Sequence, residues 1–381
     1  MKKLVASFWL GACLVLGLIP GVASAQDDTI TLVDSKGDMF TLPYPVERIA
    51  CLAPGVTEVI CALDSEDKLC GIDNFTRRNI ELYPFFKDVA GIGLPMGAAP
   101  NYEKIIDLDP DVVISLEESR WFYPELEERM KDADIPVMRI NCWKPDTFAL
   151  DVLTIGKMLD EEELAQEYID FATSYAGEIA ERVEEMDLDP EDKTRVYFEF
   201  KLNKVSCGDK SAEGQLLNMA GGQNIFREKE GERIGTVIKV TGLAEEPIAY
   251  YQVGPEAIID RNPEVIVKDY LDFADAMKLK GRKVFGYTSK PKVKGMEKAR
   301  KETMDRRGWD TTDAVRDERV YVFAFGELCS SPKWPIALGY MAKWFYPDEF
   351  SDLDPREFHE EWLSKWHDVE YMGLYVYPEE E

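Results

Sequence analysis

The sequence predicts an α/β protein of two similar lobes joined by a single long helix. Three observations carry this. A block occurs twice: residues 103–114 read EKIIDLDPDVVI and residues 256–267 read EAIIDRNPEVIV. Short apolar runs suited to buried parallel strands alternate with helical patterns on either side of the middle of the chain. Between them, Leu164, Tyr168, Ala172, Tyr175, Ile179 and Val183 recur at three- and four-residue steps with no proline, which predicts one helix over 161–186. At 1.5 Å per residue it would span roughly 39 Å, about the width of a domain.

The elements follow in order. Lys2 and Lys3, an apolar run from Leu4 to Ile19 and Ala23-Ser24-Ala25 have the form of a signal peptide covering residues 1–25 and removed after Ala25. Leu10-Gly11-Ala12-Cys13 offers the weaker alternative of a lipid anchor at Cys13. Residues 26–159 then read as the first lobe. ITLVDSKGDMFTLPYP (30–45) alternates around a Lys-Gly-Asp turn as a hairpin does. Arg48 to Leu52 reads as a strand, Ala53-Pro54-Gly55 as a loop and Thr57 as the cap of a helix through Leu63; Lys68 to Ile72 closes a βαβ unit. Asn101 caps a helix with Glu103 in its first turn, Asp109-Pro110 stops it, and strands near Val112–Ser115 and Val137–Ile140 flank a helix from Pro124 to Ala133.

The long helix, within 160–190, stops at Leu188-Asp189-Pro190, and residues 191–346 form the second lobe. Arg195 to Phe200, a strand near Val265 and Arg319 to Phe323 supply its sheet. Pro255 suits the first helical position, with Glu256 after it near the positive end of the helix dipole, and Asn262-Pro263 is the stop. In the terminal extension 347–381, Asp354-Pro355-Arg356-Glu357 opens a helix whose Phe358, Trp362 and Trp366 share one face, expected to pack on the second lobe. The lysine- and arginine-rich stretch from Lys278 to Arg307 reads as an exposed insertion, with contact to a partner or an anionic ligand as the sharper alternative.

Composition narrows the function. With 45 Lys+Arg against 73 Asp+Glu, the net charge of -28 excludes nucleic acid and acidic membrane surfaces as partners. Beyond the leader, no segment is apolar enough to span a bilayer. Cys51, Cys61, Cys70, Cys142, Cys207 and Cys329 permit three disulfides or are buried thiols, and none has zinc-site spacing. The two histidines, His359 and His367, lie in the extension, and no G-x-S-x-G elbow, P-loop or G-x-G-x-x-G occurs. A nucleophile- or metal-based enzyme is therefore not expected, nor a resident cofactor. A secreted carboxylate-dependent hydrolase is the reading left open from another class.

Loops after parallel strands face the ligand crevice of open α/β sheets. Here they carry Asn74, Phe75 and Arg77, then Arg120-Trp121-Phe122-Tyr123, then Cys142-Trp143-Lys144. In the second lobe they carry Asn203-Lys204, Lys268-Asp269-Tyr270, and Phe325 with Lys333-Trp334. Aromatic faces with cationic tips suit a bulky, partly apolar, anionic ligand. For any one of these residues, ordinary loop packing is an equal explanation.

These motifs, in this order, give the chain a resemblance to the substrate-binding proteins of ABC importers for iron-siderophore and cobalamin complexes. The resemblance rests on PVERI after the hairpin, LAPGVTEVICAL, GIG followed by PNYEKIIDLDPDVVI, the long helix, AGGQNIF, GPEAIIDRNPEVIV, and Trp309 ahead of AVRDERVYVF. It implies a class III periplasmic-binding-protein-like fold, two Rossmann-like lobes with the ligand in the cleft, working as a monomer and delivering to an ABC permease dimer. It also implies that one glutamate per lobe docks on the permease; these are Glu103 and Glu256, which helix-dipole chemistry alone would also explain. Relatives that bind bare zinc or manganese use several cleft histidines, absent here before His359. The expected ligand is thus an iron(III) chelate, with cobalamin or haem as alternatives; for haem, Tyr123 or Tyr270 would have to serve. The expected ligand contacts are Arg120, Lys204, Lys268 and Lys333 for charge, and Trp121, Tyr123, Trp143, Tyr270 and Trp334 for stacking.

Overall fold

The computed structural model describes residues 29–95, 98–117, 123–227, 236–237, 250–272 and 283–379. The expected leader, Arg120, Trp121 and Lys278 to Arg282 lie outside them. Strands β1 (Thr29–Val33) and β2 (Met39–Pro43) form the antiparallel hairpin, its turn held by the Asp34 carboxylate accepting the Lys36 and Asp38 N–H groups at 2.9 and 3.0 Å. The first lobe continues through β3 (Ile49–Cys51), α1 (Pro54–Ala62), β4 (Leu69–Ile72), β5 (Ala90–Gly91), α2 (Tyr102–Asp107), β6 (Val112–Ser115), α3 (Leu126–Lys131) and β7 (Val137–Arg139). Its parallel sheet has the order β5-β4-β3-β6-β7. Helix α1 starts earlier than expected: Ala53 is its N-cap, Pro54 occupies the first helical position, and Thr57 lies inside the first turn with its hydroxyl donating to Ala53 O at 3.3 Å.

A helix that the sequence reading passed over, α4 (Phe148–Leu159), leads into α5 (Glu162–Glu185), the long connection. They meet at Gly156, where a Cβ would lie 2.4 Å from that of Ala165, so only glycine allows the approach. At 24 residues, α5 is roughly 36 Å long.

The second lobe holds β8 (Arg195–Glu199), β9 (Val205–Cys207), α6 (Ala212–Met219), β10 (Gln223–Asn224), β11 (Thr236–Val237), β12 (Tyr250–Gln252), α7 (Pro255–Arg261) and β13 (Val265–Tyr270). It goes on through α8 (Val293–Met304), α9 (Asp313–Arg316), β14 (Val320–Ala324), α10 (Trp334–Phe345), α11 (Pro355–His367) and β15 (Val376–Tyr377). The main sheet runs β10-β8-β13-β14-β15, parallel except for the last strand, and β11-β12-β9 form a small antiparallel sheet.

The repeated block occupies equivalent places: α2 leads to β6 beside the first strand β3, and α7 leads to β13 beside β8. Its residues have the same tasks twice. Ile105 and Ile258 are fully buried anchors of the two helices. Asp109 and Asn262, each ahead of a proline that bars right-handed helix, turn left-handed with φ of 47° and 41°, a region these side chains tolerate. The acid after each proline then fixes the neighbouring strand: Asp111 accepts the Arg48 N–H at 2.8 Å, and Glu264 accepts the Arg195 N–H at 2.9 Å. Both arginines turn back on the repeat helix, Arg48 Nε to Asp109 O at 3.0 Å and Arg195 Nε to Asn262 O at 2.9 Å.

Two expectations are corrected. The described part of the basic stretch is no insertion: α8 connects β13 to β14, buries Met296, Ala299 and Thr303, and presents its charges outward. The terminal helix α11 packs across α5 rather than on the second lobe alone, with Phe358 stacked on Tyr175 at 3.7 Å and Trp362 and Trp366 edge-on to Tyr168. The chain end then joins the second sheet as β15. All six described cysteines are free thiols, five buried and Cys70 half-buried.

Candidate ligand crevice

In each sheet the chain builds outward from the first strand, then returns to its other side, so the order reverses between β3 and β6 and between β8 and β13. The carboxyl ends at such reversals open a crevice. In the second lobe, Phe200 and Lys201 follow β8, Asp269 and Tyr270 end β13, and Phe325 follows β14. Lys201 is half-buried, its ammonium 5.0 Å from the Phe200 ring centre and 4.4 Å from that of Phe325. Tyr250 stacks on Phe200 at 4.4 Å and donates its hydroxyl to Glu213, at the start of α6, at 3.0 Å; Ser330 Oγ donates to the same fully buried carboxylate at 3.0 Å. Burial lowers the Lys201 pKa, while Asp269 and Glu213 nearby favour its charge.

The first-lobe wall is the loop after β7. Cys142 turns there with φ 61°, its N–H donating to Asp151 at 3.1 Å. Lys144 pairs with Glu117 at 3.2 Å, and buried Asn141 accepts the Glu117 N–H at 3.1 Å. The Asp146 N–H donates to Gln215 of α6 at 3.1 Å, so this loop meets the second lobe beside Glu213.

Outside the crevice, carboxylates of the first lobe meet donors of the second. Glu58 of α1 pairs with Lys333 and lies 3.7 Å from His367 of α11, whose other ring nitrogen is 3.0 Å from the Tyr83 hydroxyl. Burial opposes ionisation of Glu58, yet Lys333 and His367 hold its pKa down at about 2. Glu81 accepts the Ser289 N–H at 2.7 Å and the Thr288 hydroxyl at 3.2 Å. Asp73 is fully buried, and burial raises its pKa to about 6 despite its hydrogen bonds to Thr76 and Phe75 and the charge of Lys283.

The model of the family described as periplasmic binding protein matches residues 49–325, most of the chain, from β3 through β14. The chain belongs to the periplasmic binding protein family. An ABC transporter substrate-binding lipoprotein of Bacillus subtilis, YvrC, is 23% identical over 368 residues, 92% of this chain and 100% of the relative. The solved TroA-like FepB of Veillonella parvula superposes with a TM-score of 0.69 at 24% identity, covering 91% of this chain and 99% of that one. The molybdate-bound MolA of Haemophilus influenzae does so with 0.68 at 18%, covering 90% and 99%. The protein is therefore an exported substrate-binding protein of an ABC transporter, not an enzyme, and the hydrolase alternative falls with that.

Within this periplasmic binding protein, the expected ligand residues separate into two groups. Lys268 and Lys333 are buried with internal partners, Lys268 Nζ on Glu199 at 2.5 Å and Lys333 on Glu58. Arg306 completes the first pair with 2.5 and 2.8 Å bonds to Glu199, whose pKa these cations lower against its burial. Trp334 is buried edge-on to Phe148, and Tyr123 is buried with its hydroxyl on Pro95 O at 2.5 Å. These four serve the fold. Trp143, Lys204 and Tyr270 are half-buried at the carboxyl ends of the sheets. Arg120 and Trp121 lie outside the described residues. The residue that sequence reasoning missed is Lys201, in the run Phe198-Glu199-Phe200-Lys201, which reads as the tail of a strand; the strand stops at Glu199. Glu103 and Glu256 are exposed, each the second residue of its helix, α2 and α7.

Proposed function

We propose that this protein captures an iron(III) chelate of the siderophore class between its lobes and hands it to an ABC permease dimer as a monomer. The observation that carries the reading is Lys201, a cation held on two aromatic rings at the crevice with no carboxylate in direct ion-pair contact among the described residues. That combination suits a ligand with negative charge and flat apolar surface; an ammonium over aromatic faces outside bulk water gains about 0.5–2 kcal/mol from the rings. Trp143, Lys204 and Tyr270 are placed to extend the same surface. A bare oxoanion, such as the molybdate bound to the Haemophilus relative, has no use for the aromatic shelf.

The test is to titrate mature protein, residues 26–381, with ferric citrate, ferric catecholates and hydroxamates, cobalamin, haem and molybdate, following tryptophan fluorescence. Saturable binding of an anionic ferric chelate is expected, weakened at least ~10-fold by Lys201→Met, the scale of a lost charge-assisted contact. Binding of cobalamin alone, or of no chelate, overturns the reading. Glu103 and Glu256 would dock on the permease, one per lobe. Changing both to Ala should leave chelate affinity unchanged and lower uptake; undiminished uptake returns them to helix-dipole chemistry. In this reading the leader is cleaved after Ala25, which mass spectrometry of the exported protein checks.

A further inference from the structure

Asp269 differs from other buried carboxylates of the second lobe. Glu199 is met by Lys268 and Arg306, Glu327 by Lys283, and Glu213 by the Tyr250 and Ser330 hydroxyls. Asp269 is fully buried, and among the described residues neither of its oxygens has a hydrogen-bond partner. An ionised carboxylate in that position would be costly, because nothing replaces the water it has lost. The charged and titratable groups that face it are Glu213 of α6, Lys201 beyond β8, its own neighbour Lys268 and the Cys329 thiol ahead of α10. Lys268 is already engaged with Glu199, so Lys201 alone would face two carboxylates. With both ionised, this wall would carry an excess negative charge and repel the anionic ligand for which the aromatic shelf and its ammonium are suited.

We propose that Asp269 is kept as the neutral acid behind the aromatic shelf, so that the wall carries no excess negative charge and the Lys201 ammonium stays available to neutralise an anionic oxygen of the ligand. The inference rests on the chelate reading and deepens it: the recognised group is an oxygen anion, from a carboxylate-bearing ferric chelate or from a free oxoanion. The wall then presents one donor to the ligand, Lys201 Nζ, backed by a carboxyl that is neutral rather than repulsive. Glu213 stays the acceptor of Tyr250 and Ser330 and keeps the ammonium charged. Burial, followed by the charge of Glu213, holds the Asp269 carboxyl well above the usual carboxylate range, which agrees with this assignment.

The probes are ferric citrate and sodium molybdate, titrated between pH 5.5 and 9 into wild type, Asp269→Asn and Lys201→Met. Wild-type affinity should fall at the alkaline pH where the acid ionises. Asp269→Asn, which is neutral at every pH, should bind within ~3-fold of wild type at pH 7, lose affinity only as Lys201 itself deprotonates, and exceed wild type wherever Asp269 is ionised. Ferric citrate bound and molybdate not identifies the chelate as the source of the oxygen; the converse identifies a free oxoanion and sinks the siderophore reading while leaving the Asp269 role standing. Binding by Asp269→Asn more than ~3-fold tighter than wild type at pH 7, or tighter wild-type binding at high pH, overturns the Asp269 role. A ligand-free measurement stands beside these: infrared difference spectra of wild type against Asp269→Asn should show a protonated carboxyl C=O band at pH 7. Absence of that band overturns the proposal even if neither probe binds, whereas its presence without binding counts against the chelate reading alone.

Discussion

Lys333→Met is expected to destabilise the protein by about 3–5 kcal/mol, because it leaves the Glu58 carboxylate, only 14% exposed, without its cation. His367 stands 3.7 Å away; the variant lifts the opposing charge of Lys333 from it, but burial still disfavours its protonation, so it replaces the lost ammonium only in part. The double change Glu58→Met with Lys333→Met should recover most of the loss, since both charges leave and apolar groups fill similar volume. Urea unfolding of the single and double variants checks this; equal destabilisation in both would place the effect in packing instead. The same carboxylate sets an acid limit. Its folded pKa of about 2 lies below the ordinary 4.5, so it contributes stability that is complete above roughly pH 5 and lost as pH falls toward 2. The Glu58→Met, Lys333→Met protein should show a shallower loss of stability across that window.

This pair also shows where sequence reading stops. The hairpin, the strands, the capping of α2 by Asn101 and of α11 by Asp354, and the long helix are legible because their causes are local: alternation, a capping oxygen within three residues, a period of 3.6. The repeat was legible as a helix, break and strand. That its acid also fixes an arginine at the base of the first strand was not, because Arg48 stands 63 residues before Asp111 and Arg195 69 before Glu264. Lys333 and Lys268 fit a ligand wall in sequence, since each sits near a strand end beside an aromatic residue. Their carboxylates lie 275 and 69 residues away, and only the fold brings them together. Lys201 was hidden for the opposite reason: its partners Phe200 and Phe325 are aromatic, so no opposite charge in the sequence draws attention to it. In α8 the charge density obscured the three- and four-residue steps of Met296, Ala299 and Thr303 that seat the helix on the sheet.

The aromatic stripe of α11 was legible as a buried face, but what it covers decides its consequence. Trp362 is fully buried, 5.2 Å from Tyr168, 5.6 Å from Phe171 and 5.9 Å from Phe358 between ring centres. Trp362→Ala is expected to cost about 3–5 kcal/mol through the cavity it leaves against α5. Trp362→Phe should cost clearly less, because the indole N–H it removes has no partner among the described residues and much of the ring contact stays. The loss should extend beyond the terminal segment. Helix α11 ends at His367, which touches Tyr83 and Glu58 of the first lobe, and the chain after it adds β15 to the second sheet. Loosening α11 therefore loosens contacts in both lobes at once, and the whole protein should melt at a lower temperature in one transition. Hydrogen exchange of Trp362→Ala checks the extent: faster exchange in β3 and β14 as well as α11 is expected. Acceleration confined to residues 354–379 would mean that the terminal helix unfolds by itself and the lobes are held together without it, by α5 and contacts such as those of Glu58, Glu81 and Asp146.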